Sequence, residues 1–366
     1  MSKKIIFTIT GLAMGGAENQ VVSLADELAS RGHKVTLAYM LQPALVLPRH
    51  EQVQVVWLGG AKSFLGLCSA YFRLIKLVVQ FKPDVVHSHM FHANLLSRLV
   101  TLVLNVQRLV CTAHNTNEGG KMRMLAYRLT DRLADEFTNV SEEAVKAFEQ
   151  KKAAPVGRML VTHNGIDTQR FSFSPVARQQ LRSELGIQHS KVFIAIGRFH
   201  EQKDYPNLLD AFSIVSASQL DAHLLIVGDG ELRPQLERKI EVLGLQARVT
   251  LLGIRNDIPE LLSAADFFVL SSAWEGFGLV VAEAMACERV VIATDSGGVA
   301  EVVGDNGFLV APRDSEALAR SMQEAIDMPD ELAKDYGLKS RRYICGRYSL
   351  QAVVSRWEEI YQNLCE

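Results

Sequence analysis

The chain has 366 residues, of which 48% are hydrophobic and 22% are charged, and its formal net charge is −2. These proportions are ordinary for a folded soluble protein and exclude an intrinsically disordered chain. A length of 366 residues exceeds what one hydrophobic core usually fills, so two domains are predicted.

The charge is divided unevenly between the two halves of the chain. Residues 1–165 carry a net charge of +7, whereas residues 166–366 carry −9. A basic half can attract an anionic lipid, a nucleic acid or a phosphorylated substrate. An uneven scatter of solvated charges is the alternative interpretation.

The cysteines and the apolar segments indicate the cellular compartment of the protein and whether it crosses a membrane. The five cysteines lie far apart, without a CxxC or the Cys/His spacing of a structural zinc site, which favours reduced thiols in a cytoplasmic protein. No signal peptide is predicted, because the apolar run at residues 5–9 is short and leads into a glycine-rich turn. The longest apolar stretches, 63–77 and 99–111, are interrupted by basic residues and fall short of the ~18–20 residues of a spanning helix. We therefore expect no membrane crossing.

The first half alternates short β-branched runs with amphipathic stretches, which predicts a parallel sheet covered on both faces. Its predicted strands are 4–10, 34–38, 53–58, 84–87, 109–112 and 136–140, and its first helix is 17–31. The strand at 136–140 is expected to be the last of this half.

The alternation begins again after the turn-forming residues 164–167. The predicted strands of the second half are 192–196, 223–227, 249–252, 267–270 and 290–293. The sequence thus predicts an α/β protein with two Rossmann-like, doubly wound domains, 1–165 and 166–346, and a helix at about 347–366 that packs back on the first. Ligands in such sheets bind beyond the carboxyl ends of the strands.

A glycine-rich segment, residues 10–18, follows the first predicted strand and opens the first helix. Gly15 and Gly16 would let a ligand approach the backbone, and the helix N-terminus would present free N–H groups to an anion. The spacing is not GxGxxG and no acidic residue stands about 20 residues on, so a dinucleotide fingerprint is poorly met. A tight turn without a ligand is the alternative.

Arg198 and Lys203 follow the first strand of the second half, which places two cations at the carboxyl edge of that sheet. Arginine grips phosphate oxygens in a forked geometry and lysine supplies a compact charge. A leaving diphosphate needs such neutralisation, although two cations near a loop are also common on a solvated surface.

Residues 272–283, with the sequence SAWEGFGLVVAE, follow the predicted strand 267–270. Glu275 precedes two glycines, and Glu283 lies about two turns into an otherwise apolar helix. A carboxylate in that position needs a partner, and ribose hydroxyls would be a suitable one. Helix capping by Glu275 and a salt bridge for Glu283 are the structural alternative.

Histidines cluster at the carboxyl edge of the first sheet. His87, His89 and His92 have no carboxylate or cysteine companions that would favour a metal site. His114 follows the strand 109–112 and is well placed to hydrogen-bond a ligand, or else is an internally satisfied polar residue. No Asp-x-Asp, the usual holder of a divalent ion on a nucleotide diphosphate, occurs in the chain, so neutralisation is assigned to cations and helix N-termini.

Together these segments resemble the retaining glycosyltransferases of family 4, which have the GT-B fold. The resemblance runs from Gly15-Gly16 through residues 164–167, 197–203 and 227–230 to Glu275 and Glu283, and the pair of glutamates eight residues apart is its specific element. It implies two Rossmann-like domains around an interdomain cleft. It also implies sugar transfer with retention from a nucleotide diphosphate donor, expected to be a UDP-sugar, without a required metal or other cofactor. Asp204 departs from the pattern, because a glycine often follows the lysine in this family.

The resemblance also implies roles for individual residues. Lys203 and Arg198 would neutralise the diphosphate, and Gly15 and Gly16 would face the phosphates from the first domain. Glu275 would hold the donor sugar, and His114 would contact that sugar near the reacting carbon. The remaining donor-binding residues implied by the family are Gly253, Ile254, Phe277, Gly278, Leu279 and Glu283.

The acceptor is predicted from the basic first half. Residues 65–82 alternate apolar residues with basic ones, as in a helix that lies on an anionic bilayer, and residues 121–132 add a second basic stretch. A polyprenyl-diphosphate-linked glycan of bacterial surface polysaccharide assembly fits both features, with the enzyme peripheral on the inner face of the cytoplasmic membrane and no nucleic acid as partner. An ordinary half-buried helix has the same pattern.

Other functions remain open at this point. A sugar-nucleotide epimerase of the same architecture would interconvert sugars without an acceptor, and a non-catalytic nucleotide-sugar-binding protein would turn over no donor. A dinucleotide-dependent dehydrogenase is disfavoured by the missing fingerprint.

Overall fold

The structure, a computed structural model, describes residues 2–13, 15–116 and 118–362. It divides into two compact units, each built on one parallel sheet. Unit 1 comprises residues 1–165 and 350–366, and unit 2 comprises residues 166–349.

Unit 1 contains a seven-stranded parallel sheet in the order β3-β2-β1-β4-β5-β6-β7. Its strands are β1 (Lys4–Leu12), β2 (Lys34–Ala44), β3 (Gln54–Trp57), β4 (Val85–His89), β5 (Leu109–Ala113), β6 (Glu136–Asn139) and β7 (Met159–Val161). Its helices are α1 (Gly16–Ser30), α2 (Phe64–Phe81), α3 (Phe91–Val100), α4 (Gly120–Thr130), α5 (Glu142–Gln150) and the last helix of the chain, α14 (Leu350–Gln362).

Two hydrophobic clusters cover the faces of this sheet. The first lies under α2 and α3, and the second joins α1 and α14 to the opposite face. The central strands β4 and β5 are buried along their whole length, as expected for a parallel sheet with both faces covered. The prediction that 136–140 is the last strand of this half was wrong, because the three-residue strand β7 adds to the edge beyond β6.

Helix α2 is the most apolar surface helix of unit 1. Ser63 caps its N-terminus by accepting the N–H of Gly66. Only one face is buried, through Gly66, Ala70, Leu74 and Val78. By length and composition alone this 18-residue helix could cross a membrane, but here that face packs in the core of unit 1.

Unit 2 contains a six-stranded parallel sheet in the order β10-β9-β8-β11-β12-β13. Its strands are β8 (Lys191–Ile196), β9 (Ala222–Val227), β10 (Val249–Gly253), β11 (Phe267–Leu270), β12 (Val290–Thr294) and β13 (Phe308–Val310). Its helices are α6 (Pro175–Glu184), α7 (Tyr205–Ser218), α8 (Arg233–Val242), α9 (Ile258–Ala264), α10 (Leu279–Ala286), α11 (Val299–Val303), α12 (Ser315–Asp327) and α13 (Asp330–Tyr348).

The strand order reverses between neighbouring strands in each sheet. In unit 2 this switch point lies between β8 and β11, and in unit 1 between β1 and β4. Loops on the two sides of a switch point diverge and leave a crevice at the carboxyl edge, which is where doubly wound sheets bind ligands. The segments 197–203 and 271–278 flank that crevice in unit 2.

Candidate functional site

In unit 2, a buried ion pair joins the two sides of the switch point. The Lys203 ammonium lies 2.5 Å from Glu275 Oε1, and the two side chains are 17% and 9% exposed. Ser272 donates its hydroxyl to the same carboxylate oxygen at 2.8 Å, and Gln202 donates its side-chain amide to the Trp274 carbonyl at 3.0 Å. The loop after β8 is therefore tied to the loop after β11 by charge-assisted hydrogen bonds.

Glycines allow these loops to approach closely. The Lys203 side chain lies against Gly197, where a Cβ would stand 2.8 Å from Lys203 Cε. Gly297, after β12, has φ +62, and a Cβ there would stand 1.9 Å from the Glu275 carbonyl oxygen. Only glycine fits at Gly297, since both the backbone conformation and the space exclude a side chain.

Glu283 is the second carboxylate of this edge. It is the fifth residue of α10, so it lies about one turn into the helix and not two as predicted. Burial raises its pKa to about 7, against the opposing effect of the Arg170 and Lys203 charges. Within the described parts of the chain its carboxylate has no hydrogen-bond or ion-pair partner, so the alternative of a satisfied salt bridge is not observed.

Arg198 differs from Lys203 in being exposed. Among residues 2–13, 15–116 and 118–362 its guanidinium group has no hydrogen-bond or ion-pair partner. One cation of the edge is therefore paired with a carboxylate and mostly buried, whereas the other is exposed and unpaired among the described residues.

The other predicted donor-binding residues of unit 2 lie on loops at the same edge. Gly253 ends β10 with φ +67, and the following Ile254 is 61% exposed. Gly278 has φ +82 and is the N-cap of α10, which Leu279 begins. Phe277 is buried and packs edge-on against Tyr348. The α10 N-terminus and an exposed apolar side chain thus border the loops that carry Lys203 and Glu275.

In unit 1, Gly15 and Gly16 lie where α1 begins, after the first strand. Gly15 is the N-cap residue with an extended backbone, and a Cβ there would stand 2.5 Å from Glu18 Oε2. The glutamate side chain thus folds back over the first turn, whose free N–H groups and dipole favour negative charge.

His114 follows β5 and belongs to a group of stacked imidazoles. Its Nε2 lies 3.0 Å from His89 Nδ1, and the His89 ring is 4.0 Å from that of His87, measured between centroids. Burial lowers the pKa of His114 to about 4, and holds the pKa values of His87 and His89 well below 6.5. All three rings are therefore neutral near pH 7.

The backbone of His114 is fixed by a buried carboxylate. Glu118 accepts the His114 N–H at 3.0 Å and the hydroxyl of Tyr127, and burial raises the Glu118 pKa. Tyr127 is anchored in turn by Asn94, at 3.1 Å.

The structure brings Lys203, Glu275 and Glu283 together in unit 2, and places His114 at the corresponding edge of unit 1. Sequence reasoning missed four contributors, namely Ser272, Gln202, Arg170 and Gly297. The glycine pair at 297–298 could have been found, because it follows a predicted strand as the other site glycines do. In the described part of the chain no three His, Cys, Asp or Glu side chains are grouped as a metal site would require.

Known families and proteins match most of this chain. Residues 14–170 match the family described as Glycosyltransferase Family 4, and residues 177–343 match Glycosyl transferases group 1. The UDP-Gal:alpha-D-GlcNAc-diphosphoundecaprenol alpha-1,3-galactosyltransferase of Escherichia coli is 27% identical, covering 82% of this chain and 81% of its own length. The amylovoran biosynthesis glycosyltransferase AmsD of Erwinia amylovora is 24% identical over 98% of this chain and 99% of its own. Among solved structures, Anabaena HepE in complex with UDP and glucose superposes with a TM-score of 0.88 at 25% identity, covering 99% of this chain and 100% of HepE.

Proposed function

The chain belongs to glycosyltransferase family 4 and has the GT-B fold, and from that premise we propose that it transfers a sugar from a UDP-sugar to a polyprenyl-diphosphate-linked glycan, with retention at the anomeric carbon and without a required metal. The observation that carries the donor half of this proposal is the arrangement of Lys203, Glu275 and Glu283 at one switch point. Cations and carboxylates of that kind match the phosphates and hydroxyls of a nucleotide sugar.

The cations of the site bind the phosphates of the donor, and its carboxylates bind the hydroxyl groups of the donor. Lys203 and Arg198 bind diphosphate oxygens, and the N-terminus of α10 adds its dipole. Glu283 accepts hydrogen bonds from the ribose hydroxyls, which gives its lone carboxylate the partner it lacks. Glu275 and the backbone of Phe277, Gly278 and Leu279 orient the sugar.

The nucleoside is proposed to be uridine, with the base at Gly253 and Ile254. The exposed Ile254 side chain offers an apolar surface to the base. HepE, which has the same fold, binds UDP.

In the reaction, the bond between the anomeric carbon and the diphosphate oxygen breaks, and the acceptor hydroxyl oxygen bonds to the same face of that carbon. The hydroxyl proton passes to an oxygen of the departing diphosphate. Lys203 and Arg198 stabilise the charge that develops on this leaving group, which is the largest contribution the protein can make to such a step. His114, neutral at pH 7, orients the sugar by hydrogen bonding, and Gly15 and Gly16 give the phosphates close access to the α1 N-terminus.

The proposal for the acceptor is based on the exposed residues of unit 1. On α2, Phe64 and Leu65 are each 80% exposed, and on α4 Met122 is 78% exposed. Exposed basic residues accompany them on and around the two helices, namely Lys62, Arg73, Lys76, Lys82, Lys121, Arg128 and Arg132. Exposed apolar side chains next to lysine and arginine suit the interface of an anionic bilayer. We propose that unit 1 docks there, on the cytoplasmic face, where a lipid-linked acceptor is presented.

Measurements of turnover distinguish a transferase from an epimerase and from a non-catalytic binding protein. Wild type and Glu283→Ala are compared with a panel of UDP- and GDP-sugars, with and without polyprenyl-diphosphate-sugar acceptors. Acceptor-dependent release of UDP that is lost in the variant is the expected result. Interconversion of sugars without acceptor would establish an epimerase, and binding without turnover of any pair would establish a non-catalytic protein.

Membrane docking is tested by sedimentation with vesicles of phosphatidylcholine alone or with anionic phosphatidylglycerol. Wild type is expected to sediment with the anionic vesicles, less so at high salt, and the double substitution Phe64→Ser, Leu65→Ser is expected to remain in solution. The control, Leu220→Ser, removes a side chain that is 77% exposed on acidic unit 2 and should not change sedimentation. Equal sedimentation of all three proteins would contradict docking through α2.

A further inference from the structure

Two buried ring nitrogens of unit 1 have no hydrogen-bond partner among the described residues. They are His89 Nε2 and His114 Nδ1, on the two imidazoles that share the 3.0 Å contact. Each histidine therefore uses one nitrogen to hold the other ring and leaves its second nitrogen unpaired. Buried polar atoms without partners are rare in folded proteins, and each requires an explanation.

The proton count of the pair limits the possibilities to two. Both rings are neutral near pH 7, because burial lowers both pKa values, and a neutral imidazole carries one N–H. One of the two N–H protons forms the hydrogen bond between the rings, and the other is on one of the two unpaired nitrogens. If His89 donates from Nδ1, the remaining N–H is at His114 Nδ1. If His114 donates from Nε2, the remaining N–H is at His89 Nε2.

The surroundings of the two rings distinguish these arrangements. His89 is 1% exposed and is covered by the rings of Phe7 and His87, at centroid distances of 5.5 and 4.0 Å. An N–H at His89 Nε2 would remain buried without an acceptor, which costs the full desolvation penalty of the donor. His114 Nδ1 is buried as well, but His114 is a half-buried residue at the end of β5 and lies closer to the surface than His89, so a ligand oxygen brought to this edge is better placed to accept the N–H of His114 than that of His89.

We propose that His89 is a positioning residue that donates its Nδ1–H to His114 Nε2 and so fixes His114 in the tautomer that presents Nδ1–H to a hydroxyl oxygen of the donor sugar. The inference rests on the proposed role of His114 toward that sugar. His114 then acts as a hydrogen-bond donor toward the ligand. Its tautomer is set by His89, because the hydrogen bond made by one ring nitrogen determines whether the other ring nitrogen carries the proton. Glu118, which accepts the His114 backbone N–H, holds the same residue from its other side.

The tautomer can be observed without substrate. In the full-length protein labelled with 15N at histidine, ring nitrogen chemical shifts at pH 7 distinguish a protonated from a bare nitrogen, and His114→Asn and His89→Asn assign the signals. The expected spectrum has His114 and His89 both protonated at Nδ1 and bare at Nε2. A His114 ring protonated at Nε2 would overturn the proposal.

Substitution tests the consequence for the sugar. His89→Phe keeps a ring but removes the donor, whereas His89→Asn keeps an N–H near the position of Nδ1. Turnover of the UDP-sugar is expected to fall about tenfold in His89→Phe and to recover to within about threefold of wild type in His89→Asn, in proportion to one lost hydrogen bond. The affinity for UDP, which lacks the sugar, should be the same in all three proteins.

His87→Phe is the matched control, since it replaces an imidazole of the same stack and leaves the bond between His89 and His114 intact. Equal losses in His87→Phe and His89→Phe, a parallel fall in UDP affinity, or failure of asparagine to restore turnover would each contradict a positioning role. If wild type turns over no UDP-sugar, the proposed function fails, and the histidine spectrum then decides the tautomer alone.

Discussion

The carboxyl edges of the two sheets have the same topology but opposite chemistry. In unit 2 the edge is charged, with Lys203 paired to Glu275 and Glu283 lying nearby. In unit 1 the imidazoles of His89 and His114 at this edge are uncharged near pH 7, because burial lowers their pKa values. Equivalent positions of one fold thus carry different chemistry, and we proposed the first for stabilising developing charge and the second for orienting hydroxyl groups.

Breaking the ion pair should have the largest effect. Lys203→Ala leaves the Glu275 carboxylate buried without its cation, so the free energy of unfolding should fall by about 3–5 kcal/mol. Turnover should fall about 10²–10³-fold through loss of leaving-group stabilisation. Thermal denaturation and turnover of the UDP-sugar measure the two effects.

The double variant Lys203→Ala, Glu275→Ala is the control for this prediction. It removes both charges, so it should recover part of the lost stability while activity stays low. A free energy of unfolding that is lower in the double variant than in Lys203→Ala would show that the two side chains do not stabilise the fold as a pair.

A steric change should damage the charged edge without altering a charge. Gly297→Ala adds a Cβ at 1.9 Å from the Glu275 carbonyl oxygen, so it should displace that loop and reduce turnover about 10²-fold. Gly244→Ala is the matched control, because Gly244 has φ +67 and no atom within 4 Å of its Cβ position. Both substitutions cost ~1–2 kcal/mol of backbone strain, and only the first should affect activity.

The pH dependence of donor binding should come from the charged edge alone. Ribose hydroxyls bind the ionised form of Glu283, whose pKa is about 7, so UDP should bind about tenfold more tightly at pH 8 than at pH 6. Since the folded pKa exceeds the usual value of 4.5, stability is highest below pH 4.5 and falls by about 3 kcal/mol as the pH rises through 7. Calorimetry and denaturant titration of wild type and Glu283→Gln measure both.

In Glu283→Gln both pH dependences should become flat in this range. His114 does not contribute, because its pKa of about 4 keeps it neutral throughout. A dependence that persists in Glu283→Gln but disappears in His114→Asn would reverse the comparison between the two edges.

The smallest effect is expected beside the ion pair, at Asp204. This residue adopts the left-handed conformation with φ 44, so the loop keeps the shape that a glycine would allow. Asp204→Gly should stabilise the protein by up to about 1 kcal/mol with little change in turnover, whereas Asp204→Ala should not stabilise it. Denaturation midpoints of the three proteins give the answer, and an unchanged midpoint in Asp204→Gly would mean that the aspartate side chain offsets the strain.

The parallel sheets could be predicted from the sequence because short β-branched runs alternate regularly with amphipathic stretches. Strands β7 and β13 were not predicted, since three residues are too few to show a periodicity. Lys203 and Glu275 were each expected at the carboxyl edge, but their contact joins residues 72 positions apart across two loops, and spacing does not determine such a pairing. The hydrogen bond between His89 and His114 was not predicted for the same reason, although each residue lies two positions after a predicted strand.

Helix α14 belongs to unit 1 although it follows the whole of unit 2 in sequence. It supplies Leu350, Val353, Val354 and Trp357 to the core against α1, and Tyr361 bonds His87 at 2.7 Å. During synthesis, unit 1 therefore cannot complete its core until residues 350–362 have left the ribosome, although its residues 1–165 are made first. The unit that is made first is completed last, so a chain truncated after Ser349 would keep every residue of unit 2 and lose the α14 side of the unit 1 core.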